Sequence, residues 1–119
     1  MGDLMRKERV EAVQSVADNL YALENALDVA VTLGASLVGS IPKARLQAKI
    51  SAVVGQDAFN STAKVLACLA EARQTIVIAH QQLDQVKTDI GLETYATGGG
   101  YPKKPNDNGI LHIVDSQAA

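Results

Sequence analysis

Apolar positions recur along this chain at steps of three and four. Between Ser61 and Gly91 they fall at Val65, Leu69, Ala72, Ile76, Ala79, Leu83, Val86 and Ile90. That spacing is a heptad seam on one helix, and Gly91 stands just past its end, where a left-handed cap favours glycine. A helix of about 30 residues is about 45 Å long and needs a partner of matching length. The chain supplies one after Asp3, a suitable N-cap: Val13, Val16, Leu20, Leu23, Leu27, Ala30, Gly34 and Leu37 repeat the pattern. Two matching seams predict a long antiparallel helical hairpin. Its facing layers pair Val13 with Ile90, Leu20 with Leu83, Leu27 with Ile76 and Gly34 with Leu69, and the small residues permit close approach.

A second apolar stripe runs beside each seam. On the first helix it includes Val10, Ala17, Tyr21, Val31, Ala35 and Val38; on the last it includes Phe59, Ala63, Leu66, Ala70 and Val77. A two-helix hairpin covers one stripe per helix, so the surplus marks contact with another element or another chain. We expect an oligomer interface at Val10, Tyr21, Val31, Val38, Phe59, Leu66 and Val77. Gly39 and Ser40 punctuate the first helix, and Pro42 suits the first position of a new one. The spacing therefore predicts three helices, over about 4–38, 42–54 and 58–90, within a helical domain 1–91. The short connecting helix would turn Leu46, Ile50, Val53 and Val54 inward and close at Gly55, with Asp57 or Asn60–Ser61 capping the long helix that follows.

Composition agrees with an all-α fold. Of 119 residues, 47% are hydrophobic but only 3% aromatic, so the core is Leu, Ile, Val and Ala, which suits close-packed helices. The net charge of −2 gives no general pull toward nucleic acid or an anionic membrane. The most apolar window, Ala26 to Ile41, is interrupted by Asp28, two glycines and the following Pro42, and falls short of a span of about 20 residues. No secretory signal is visible near Met1, and a single cysteine excludes an internal disulfide. We expect a protein made in the cytoplasm, with no membrane partner.

Candidate chemistry is sparse. His80 has no ligand partner at helical spacing, and we expect a flank or interface histidine. Cys68 lacks a basic neighbour and reads as a small, at least half-buried hydrophobe. Glu8, Glu11, Glu24, Asp28, Glu71, Asp84 and Asp89 are scattered, and spacing singles out no acid–base pair. Gly98–Gly100 has no following helix and lysine–serine element, so it is no phosphate loop. Lys43, Arg45 and Lys49 share one face of the connecting helix, with Arg6, Lys7 and Arg9 elsewhere. Without interleaved aromatics, nucleic-acid binding as an accessory or regulatory protein is the alternative reading. We expect no enzyme, no cofactor and no metal; a metal or small-ligand site centred on His80 is a distant third.

From Leu92 the character changes. Gly98–Gly100, Pro102 and Pro105 give an extended arm over 92–119 that ends in a strand-like Ile110, Leu111, His112, Ile113 and Val114. A lone strand has no sheet to join, so Tyr101, Ile110, Leu111, Ile113 and Val114 are candidates for binding a neighbouring structural protein. A small α-hairpin with surplus apolar flanks and an extended arm resembles the small helical structural proteins of tailed bacteriophage particles. That resemblance implies a non-enzymatic assembly protein, a homo-oligomer, in a virion.

Overall fold

The structure is a computed structural model in which residues 2–98 are described. Among them are two helices, α1 (Gly2–Gln47) and α2 (Gln56–Asp89), and no strand. The fold class is all-α. The molecule measures 72 Å in its longest dimension, close to the roughly 69 Å that 46 helical residues span.

The largest departure from expectation lies at 39–54. No break occurs at Gly39–Ser40, and no helix covers 48–54: α1 runs straight through Pro42 to Gln47. Proline inside a helix removes one backbone bond and costs about 3 kcal/mol. Continued burial offsets that cost, because Ile41, Pro42 and Arg45 are half-buried, Ile41 and Arg45 extending the heptad columns of Gly34 and Val38. The apolar stretch of α1 is therefore continuous. By length and composition alone, α1 is long and apolar enough to cross a membrane, which corrects the expected interruption.

Both helix ends are closed by backbone geometry. At α2, the N–H of Gly91 bonds to the Thr88 carbonyl (3.0 Å) and that of Leu92 to the Lys87 carbonyl (2.9 Å), with Gly91 at φ 81°. This is a Schellman cap, and Leu92, its apolar partner, is 2% exposed. The end of α1 repeats the pattern: Lys49 N–H bonds to Leu46 O (3.2 Å) and Ile50 N–H to Arg45 O (3.0 Å). There Lys49 itself adopts the left-handed conformation, φ 54°. α2 opens on Gly55, also left-handed and without a side-chain cap, in place of the expected Asp57 or Asn60–Ser61.

Pairs in contact between the helices run in opposite chain directions. Arg9 donates to the Ile90 carbonyl (3.4 Å), Glu24 meets His80, Arg73 meets Asp28, and Gly34 lies against Leu66 and Leu69. A Cβ placed on Gly34 would sit 3.1 Å from Leu69 Cδ1.

Burial shows which columns make this contact. Half of each expected seam is there: Val13, Leu20, Leu27 and Gly34 are half-buried on α1, with Leu69, Ile76 and Ile90 buried or half-buried on α2. The other half is there only in part: Ala30 and Ala79 are half-buried, while Leu83 of the first half is 36% exposed. Val16, Leu23 and Leu37 are 49–53% exposed, as are Val65 (53%) and Val86 (49%). Their place is taken by Val10, Ala17, Glu24, Val31 and Val38 on α1 and by Phe59, Leu66, Arg73, His80 and Lys87 on α2, all buried or half-buried. Each seam is thus rotated by one residue toward a column that contains charge.

Candidate functional site

The charged positions in the contact form cross-helix pairs. Glu24 is 3% exposed, and its Oε1 lies 3.1 Å from His80 Nδ1. A carboxylate only accepts, so the imidazole donates through Nδ1–H. His80 Nε2 faces Asp84 Oδ2 at 3.7 Å, and the Tyr21 ring lies tilted over the imidazole, centroids 6.0 Å apart. Toward the connection, one turn along α1 and two along α2, Arg73 Nε donates to Asp28 Oδ1 at 2.7 Å. Burying a carboxylate without a partner would be costly, and these pairings are why charged side chains occupy a seam.

Residues 92–98 fold back along one side of this layer. The Tyr95 hydroxyl donates to Gln14 Oε1 (2.7 Å), and Gln14 Nε2 donates to the Thr97 carbonyl (2.8 Å). The Tyr21 and Thr97 hydroxyls share a hydrogen bond, and Lys87 Nζ donates to the Tyr95 carbonyl. A cleft of about 220 Å³ lies between the helices here, lined by Val13, Ala17, Leu20, Tyr21, His80, Leu83, Ile90 and Thr97 and reaching Val16 and Val86.

Several expected site residues now have places. Val10, Tyr21, Val31, Val38, Phe59 and Leu66, expected at an interface between copies, are half-buried, while Val77 is 37% exposed. His80 is a seam residue, not a flank one. Cys68 is exposed, contrary to the expected burial, because it lies on the outer side of α2. Of the scattered carboxylates, Glu24 and Asp84 both approach His80; Glu11 pairs with Lys7 on its own helix, at 3.9 Å. The basic residues form no single patch, since Lys7 and Lys43 stand about 54 Å apart along α1. Tyr101, Ile110, Leu111, Ile113 and Val114 lie outside the described residues. Comparisons with family models, curated proteins and solved structures found no match.

The Glu24–His80 pair is what reading the sequence missed. Polar residues in a heptad column look like surface, and the signal lies only in complementarity: Glu24 and Asp28 on one helix, Arg73 and His80 on the other, four and seven residues apart. Among the described residues, no three His, Cys, Asp or Glu side chains gather as a metal site. The arrangement is chemically suited to holding two helices together.

Proposed function

We propose that this chain is a non-enzymatic assembly protein: an antiparallel α-hairpin that self-associates through one open face and joins neighbours with its C-terminal arm. One observation carries the reading. Among the described residues, Ala17, Ile76 and Leu92 are the buried apolar side chains, whereas Val16, Leu23, Leu37, Val65 and Val86 stand open at heptad spacing.

Those five residues share a side. Val16, Leu23 and Leu37 each precede a seam residue of α1 by one, and Val65 and Val86 do so on α2. Antiparallel helices are related by a local two-fold axis normal to their common plane, so equal rotations on the two place both columns on one face. Ala30, Ala72 and Ala79 continue those columns and leave a shallow surface that a second copy can approach closely.

Magnitudes set the strength of the contact. Covering the exposed half of five such side chains is worth about 1 kcal/mol each, or about 10 kcal/mol over two copies. Association itself costs an estimated 4–15 kcal/mol, so the face alone gives reversible contact. A lasting assembly needs a further link, and the arm beyond Gly98, with Tyr101, Ile110, Leu111, Ile113 and Val114, is suited to be it. Its root is held by Thr97 against Tyr21, which gives the arm a fixed point of departure. A particle-associated setting, such as a phage virion, fits such a unit.

Light scattering on the purified chain tests this. The full chain is expected to form oligomers, and a chain ending at Gly98 to retain only the weaker, concentration-dependent association. A monomer at high concentration for both would overturn the reading.

A further inference from the structure

The turn between the helices differs from every other part of the molecule. Leu46, Ile50, Val53 and Val54 are 79%, 47%, 79% and 55% exposed within nine residues. It is nonetheless a built turn. The Arg45 guanidinium donates to the Ala52 carbonyl (2.8 Å), Val54 N–H bonds to Ser51 O (3.1 Å), and Ile50 N–H bonds to Arg45 O (3.0 Å). These bonds fix the backbone that carries the four exposed apolar side chains.

Its charge is one-sided. From Val29 to Gln56 the only charged residues are Lys43, Arg45 and Lys49, all basic; Asp28 and Asp57 bound the stretch. Arg45 is half-buried, and both lysines are exposed. The remainder of the described chain mixes the two signs. A basic rim around protruding Leu, Ile and Val side chains is the pairing that an anionic lipid surface recognises: ammonium groups meet the headgroups while the apolar side chains enter about 5–10 Å beneath them.

We propose that this turn docks end-on to anionic lipid headgroups. Neither a second copy nor a nucleic acid meets both features, because a second copy presents the same positive charge and a nucleic acid offers no apolar layer for four aliphatic side chains. The site is separate from the open face of the hairpin, so the two proposals fail independently.

Flotation of the full chain with vesicles of phosphatidylcholine, alone or with 30% phosphatidylserine by design, is the test; about 1 kcal/mol per basic residue sets the expected charge effect. Binding is expected on the anionic vesicles, weakened by salt. It should fall about thirtyfold in Lys43→Gln/Lys49→Gln, by that constant, and should also be lost in Leu46→Ser/Val53→Ser. Circular dichroism should show unchanged helicity, since all four side chains are exposed. Equal binding to both vesicle types, or none to either, overturns the proposal. So does a turn variant that changes oligomer size without changing flotation, or lysine-dependent retention on duplex DNA without flotation.

Discussion

The two sides of the helix pair meet their surroundings on different terms. On one, the chain covers itself: residues 92–98 lie over Gln14 and Tyr21 and are tied down by hydrogen bonds from Gln14, Tyr21 and Tyr95. On the other, Val16, Leu23, Leu37, Val65 and Val86 are left about half exposed. Directional polar bonds suit a cover that must seat in one way on its own body. An aliphatic surface tolerates small shifts of its partner, which suits contact between separate molecules. The seam between these sides carries the charged pairs, and it decides which columns fall on which side.

The comparison breaks most visibly if the open face is charged. Leu23→Glu/Val65→Glu should weaken self-association at least about a hundredfold, since like charges would meet across the contact. Sedimentation equilibrium would register a monomer with unchanged helicity; oligomers that persist would place the interface elsewhere.

A change in the seam should act on stability instead. His80→Ala leaves the Glu24 carboxylate buried beside a void and should cost about 3 kcal/mol in urea unfolding. Glu24→Leu/His80→Leu should cost less than that single change, because both polar groups leave together. An additive pair of effects would mean that the two side chains do not interact.

Gly34→Val probes the closest approach of the helices. Its new side chain would press on Leu69, and a loss of about 1–3 kcal/mol is expected. A neutral result in thermal unfolding would show that the backbones have room to part there.

The smallest effect belongs to the self-covered side. Tyr95→Phe removes the hydrogen bond to Gln14 and should cost about 0.5–1.5 kcal/mol while leaving oligomer size alone. A shift in size would erase the distinction between the two sides.

Much of the helical plan was legible from spacing. Gly91 marked the end of α2, and the columns of Leu20 and Leu69 were the right halves of the seams. What misled was local evidence with a distant answer. Glu24 was one scattered carboxylate among several because its partner is His80, 56 residues away. Gly39, Ser40 and Pro42 looked like a stop, yet burial of Ile41 and Arg45 carried the helix through. Leu92 looked like the start of an arm, and its apolar role in the α2 cap became apparent only from the cap's hydrogen bonds. In the first two cases tertiary contact outweighed a local preference of at most a few kcal/mol; the third is local cap geometry.

Gly34 has one more consequence. The heptad repeat leaves a sliding problem: displaced by seven residues either way, Glu24 would meet Arg73 or Lys87, cations again, so charge alone does not forbid the slip. The missing side chain at Gly34 makes a notch that receives Leu69, and a slide would set Leu27 or Ile41 there instead. The absent methyl at Gly34 thus favours the alignment in which Leu69 has room to seat.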